Sequence, residues 1–104
     1  MDEIPEYKVE VSDAALAMFD SHIEFMARVS TGAATRLMNE ILRDIKSLST
    51  FPERFPIFDC EFIPYGRYRK MLSSKRYLII YEIAGNNVFV DYILDCRTDY
   101  EWLL

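Results

Sequence analysis

The stretch RYLIIYEIAGNNVFVDYIL, Arg76 to Leu94, decides the fold. Two apolar runs rich in β-branched and aromatic residues flank Gly85-Asn86-Asn87, residues that tolerate positive φ, and the combination predicts a long β-hairpin. Upstream, RYRKML and IFDCEF are two further strand candidates, set apart by the turn signals SSK and PYG. Still further upstream the apolar period changes from two to about 3.6 residues. Leu37, Ile41, Ile45 and Leu48 share one helical face, with Arg36, Asn39, Glu40, Arg43, Asp44 and Lys46 mostly on the other, and Phe51-Pro52 ends the pattern. Before it, Leu16, Phe19, Ile23 and Met26 form an apolar stripe that runs to about Val29 and stops at Ser30-Thr31-Gly32. Ser12 and Asp13 supply a hydroxyl cap and a carboxylate at that helix's start, and Tyr7 to Val11 alternates as a first strand.

The order is thus β-α-α-β-β-β-β. Two consecutive helices with no strand between them exclude a doubly wound parallel sheet. The expected class is α+β: an N-terminal strand, a two-helix hairpin, then a four-stranded antiparallel sheet covered by the helices on one face and open on the other. With 104 residues, the chain is read as one domain spanning residues 1–104.

Composition narrows the function classes. The chain is 51% hydrophobic with only three Gly and four Pro, enough apolar surface for a packed core. No apolar run is long enough to cross a bilayer, and the acidic start MDEIPEYK is unlike a signal peptide, so a cytoplasmic protein is expected. Cys60, Cys96 and the single histidine, His22, form no spaced ligand set, so no metal and no cofactor are expected. Three glycines do not make a phosphate loop, and a lone helical histidine, read here as structural, does not make a hydrolytic triad.

The formal net charge is −5, yet the ten residues RYRKMLSSKR, Arg67 to Arg76, hold five of the twelve Lys and Arg and no acid. Solvated charges on an edge strand would explain this. Interleaved Tyr65, Tyr68 and Tyr77 are also the pattern that suits phosphates and stacked bases. Strand alternation puts Arg67, Arg69 and Met71 on one side and Tyr68, Lys70 and Leu72 on the other. Phe51, Phe55, Phe58 and Phe62 read as residues of the core or of a partner-facing cleft.

The helix pair followed by Tyr68-Arg69-Lys70, by Arg76 to Glu82 and by Asp95-Cys96-Arg97-Thr98-Asp99-Tyr100 resembles the RelE/ParE superfamily of toxins from type II toxin–antitoxin pairs. The likeness runs from Tyr7 to Leu104. It implies a protein antitoxin as partner and one of two activities. Members similar to RelE cut mRNA in the ribosomal A site without a metal, the RNA 2′-hydroxyl attacking the adjacent phosphate to leave a 2′,3′-cyclic end. Members similar to ParE block DNA gyrase without hydrolysis. Under the first reading, the resemblance implies Arg69 and Arg97 as phosphate-stabilising catalytic residues. It gives Tyr100 to base stacking or proton transfer, and Arg67, Lys70 and Arg76 to RNA or target binding. Many members carry a histidine near the position of Asp95; this chain has none there. A toxin-like interaction module without activity is the third possibility the fold allows.

Overall fold

The computed structural model describes residues 6–59 and 64–97. Its elements are β1 (Lys8–Val11), α1 (Asp13–Val29), α2 (Thr31–Ser47), a 3-10 turn at Pro52–Arg54, β2 (Arg69–Ser73), β3 (Tyr77–Ala84) and β4 (Asn87–Asp95). Both helices begin on a serine. Ser12 accepts from the Ala15 amide at 3.0 Å and Ser30 from the Ala33 amide at 3.1 Å. Ser30 also closes α1, donating its amide to the Met26 carbonyl at 3.0 Å, so one extended residue makes the whole helix–helix link.

The strands lie in the order β1-β4-β3-β2. β3 pairs antiparallel with both β2 and β4, as the hairpin signals require. Of the two central residues of the β3–β4 turn, only Gly85 has positive φ, 61°, the backbone pattern of a type II′ turn. The β2–β3 loop is less usual, because Ser74 and Lys75 both take positive φ, 50° and 66°, without a glycine. Two hydroxyl–carboxylate bonds tie it to α2: Ser73 donates to Asp44 at 2.7 Å and Ser74 to Glu40 at 2.6 Å.

Two expectations are corrected. The sheet is mixed, because β1 runs parallel beside β4, Lys8 opposite Asn87 and Val11 opposite Val90. Alternation identifies a strand but not its neighbour, and the helix pair lets the first strand return to the hairpin's far edge. The stretch IFDCEF does not add a fourth strand after the helices among the described residues. Its described part makes one bridge, Ile57 to Arg69, and Cys60 to Phe62 lie outside the described residues. Pro56, with no N–H to donate, stops the pairing there.

The helices bury Phe19, Leu37, Ile41, Ile45 and Leu48 against Met71, Tyr77, Ile79, Tyr81, Val88, Val90 and Ile93. In α1 the small Ala15 takes the central position, while Leu16, expected in the stripe, is half exposed. A second cluster, Phe58, Tyr68, Ile80 and Leu94, forms on the opposite face of the sheet. The Ile80/Tyr81 register shift, which makes Asp91 an extra residue in β4, puts Val90 and Ile93, three residues apart, on the same helix-facing side.

Candidate functional site

Three of the six site candidates are engaged in the fold. Arg69 lies on the helix-facing side of β2, opposite Tyr81. Its Nη1 donates to the Glu53 carbonyl at 3.1 Å and the Phe55 carbonyl at 2.6 Å. Beside it the Tyr81 hydroxyl donates to the Pro52 carbonyl at 2.6 Å, and burial pushes that phenol up to about 12. Both side chains therefore hold the Pro52–Phe55 segment against the sheet. Arg54 does the same for the end of α2, donating to the Ser47, Thr50 and Phe51 carbonyls. This role of Arg54 was missed in the sequence; an arginine a few residues past a helix end was its only signal.

Arg67, expected on the side of Arg69 and Met71, lies instead on the open face, because it precedes β2 and strand alternation does not hold it. Its Nε donates to Glu82 at 2.9 Å and its guanidinium stands 5.2 Å over the Tyr68 ring. Tyr68 in turn donates to Asp91 at 2.9 Å. Burial, then that hydrogen bond and the charge of Asp91, push the Tyr68 phenol up to about 12.

Arg97 closes a third group at the opposite end of β3. It clasps Asp95 three times, through its amide at 2.9 Å, Nε at 3.3 Å and Nη2 at 3.2 Å. The neighbouring Tyr77 ring is 5.1 Å from His22, whose Nε2 is 2.8 Å from the Ile93 carbonyl. α1 thus brings the chain's one histidine to the end of β4, a proximity that sequence spacing does not reveal. Burial pushes the Asp95 carboxyl up, but the hydrogen bonds and charge of Arg97, with the charge of His22, outweigh it and hold Asp95 below the usual carboxylate range.

That balance fixes a pH dependence. The folded pKa of Asp95 is depressed, so its contribution to stability is complete above about pH 4 and is lost as pH falls through the lower folded value. Asp95→Asn is expected to remove this component from the acid side of a stability–pH curve. Arg97→Ala should weaken it. The Asp95 carboxyl keeps its burial and the amide hydrogen bond but loses the guanidinium, so it titrates higher than in the wild type, and the variant loses about 1–2 kcal/mol at pH 7 and less in acid. Urea titrations from pH 3 to 7 test both; parallel curves for wild type and Arg97→Ala would refute the assignment.

Arg69 and Arg97 are not brought together. Arg69 pairs with Tyr81, Asp95 pairs with Tyr77, and four residues of β3 separate the two pairs by about 13 Å along the strand. Lys70 and Arg76 remain the available cations. With Lys75 they have no ion-pair partner among the described residues. Lys70 also borders a groove of about 510 Å³ on the open face, lined by Phe55, Pro56, Leu72, Leu78 and Cys96. Tyr100 lies outside the described residues, as do Thr98 and Asp99. Among the described residues no group of three or more His, Cys, Asp or Glu converges on a possible metal position, and no helix is long and apolar enough to cross a membrane.

The architecture is shared with a chain of a solved structure. A chain of the chromosomal ParDE TA system from P. aeruginosa superposes with a TM-score of 0.68, over 86% of this chain and 96% of that one, at 13% identity. The family profile for the ParE toxin of the type II toxin–antitoxin system parDE matches residues 9–100. The chain belongs to the ParE toxin family. It is therefore a toxin of a type II pair, and an antitoxin protein is its partner. No curated protein sequence matches it. In this ParE chain, Arg67, Arg69 and Arg97 are each engaged internally, and of the described candidates only Lys70 and Arg76 have no ion-pair or hydrogen-bond partner for their side chains among the described residues.

Proposed function

We propose that this ParE toxin acts by binding a protein target, DNA gyrase, rather than by cutting RNA. The observation that carries the reading is the separation of Arg69 from Arg97, each already engaged by groups of the fold. Metal-free cleavage needs positive charge converging on one phosphate, with a proton acceptor and donor beside it. Cations at opposite ends of a strand do not converge. A binding surface needs only exposed, correctly signed side chains, and Lys70, Lys75 and Arg76 supply them on one hairpin. The toxin's work is cytoplasmic under this reading, and its antitoxin neutralises it by covering the surface.

One observation favours the ribosome-dependent endonuclease as a second reading. His22, Tyr77, Asp95 and Arg97 meet at the end of β4, so α1 supplies a histidine where many relatives of the RelE type carry one on the tail. Arg97 would then stabilise the phosphate with Tyr100 nearby in sequence, and Arg76 would guide the RNA.

Induction of the toxin in a bacterial host separates the two. Gyrase inhibition is expected to give relaxed plasmid and DNA breaks while mRNA stays whole. Message cut on ribosomes with normal supercoiling would overturn the proposal in favour of the endonuclease. A host that grows normally with folded toxin would leave neither activity.

A further inference from the structure

We propose that the outer edge of β2 at Leu72 is a docking strand for an extended, acidic and apolar segment of a partner protein. The argument starts from backbone groups. The Lys70 amide donates to the Pro56 carbonyl at 3.0 Å and the Phe58 amide to the Tyr68 carbonyl at 2.8 Å. Tyr68 and Lys70 therefore turn their peptide groups away from β3, and strand alternation turns those of Leu72 the same way. Pro56 accepts from Lys70 but has no N–H to return, so the Lys70 carbonyl cannot complete the pair. The 3-10 turn at Pro52–Arg54 then takes the chain off the edge before it reaches Leu72. The Lys70 carbonyl and both Leu72 backbone groups have no hydrogen-bond partner among the described residues. They are the next three rungs of a ladder that the chain's own segment starts and abandons.

The side chains around these rungs specify the occupant. Leu72 is 59% exposed, although it stands in the middle of a strand. Beside it is the groove of about 510 Å³ lined by Phe55, Pro56, Lys70, Leu78 and Cys96. A strand laid along the edge puts alternate side chains over that groove, where apolar groups gain most. Around the groove Lys70, Lys75 and Arg76 have no ion-pair partner among the described residues, so carboxylates complement the rim. A lysine that only protects an edge from aggregation would account for the charge. It would not account for an exposed leucine over an apolar groove.

This inference goes beyond the choice of target, since it holds whether the toxin blocks gyrase or cuts RNA. It is tested on the full chain with two synthetic peptides of equal length, one alternating Glu and Leu, the other Lys and Leu. The Glu/Leu peptide, at about ten times its Kd, is expected to slow exchange of the Leu72 amide about tenfold and to shift the resonances of residues 70–73; the Lys/Leu peptide is not. Leu72→Pro, tolerated on an edge, should keep the fold and abolish binding of the Glu/Leu peptide. Equal effects of both peptides, no effect of either, or binding unchanged in Leu72→Pro would overturn the proposal. Concentration-dependent protection of Leu72 without peptide would also overturn it, by making a second copy the occupant. A growth assay run in parallel reports on toxin activity alone, so a failed edge and a failed toxin reading are distinguishable.

Discussion

Ile79→Ala is expected to lower the free energy of unfolding by about 3–4 kcal/mol, the largest loss of any single truncation considered for this toxin. Ile79 is fully buried on the strand that is bonded on both sides. It stands between Met71 of β2 and Ile93 of β4, on the face that receives both helices. Its removal leaves a cavity whose walls belong to three elements, and a sheet held by two ladders has little freedom to collapse into it. Leu72→Ala, also an aliphatic truncation within a strand, should cost about 0.5 kcal/mol or less, because that side chain is mostly in water already. Urea denaturation of the two variants measures the contrast. Similar losses at both positions would mean that the faces of the sheet are assigned wrongly.

Local signals carried most of the fold, and tertiary relationships carried the rest. The GNN turn, the Ser12 cap and the Leu37-Ile41-Ile45-Leu48 stripe each act within a few residues, and each produced the expected element. RYLIIYEI could not show which of Ile79 and Ile80 faces the helices, because both are buried, one in each cluster. The parallel placement of β1 was equally hidden, since a strand's neighbour is chosen by the path of the intervening helices. In IFDCEF, propensity suggested a strand, while Pro56 and the 3-10 turn limited it to a single bridge. Spacing placed Arg69 and Lys70 correctly on opposite faces of β2, but Arg67 lies before the strand and escapes its alternation. It could not show that Arg69 would be drawn to backbone carbonyls 14 and 16 residues earlier, or that His22 would reach Ile93 across 71 residues.

The commitment of Arg69 yields the second large effect, with Arg69→Ala expected to cost about 2 kcal/mol of stability. Charge-assisted hydrogen bonds contribute roughly 1.5–3 kcal/mol each, and partial exposure of the guanidinium reduces the pair below its nominal sum. The carbonyls concerned belong to a segment with few other ties. Phe51, at φ 46°, enters it in a conformation that a bulky side chain rarely adopts, so the turn persists only while its surroundings hold it. Arg54, Tyr81 and Arg69 provide that hold, and the latter two grip the same three-residue turn and its exit. Arg69→Ala and Tyr81→Phe should therefore be non-additive, with a coupling of about 0.5–1 kcal/mol in a double-mutant cycle. The same measurement decides what loss of toxicity in Arg69→Ala means. If the residue only secures the turn, toxicity falls with the folded fraction and returns when folding is restored at lower temperature. A variant as stable as wild type but inert in cells would instead put Arg69 in contact with the target, and the segment it now holds would have to release it on binding.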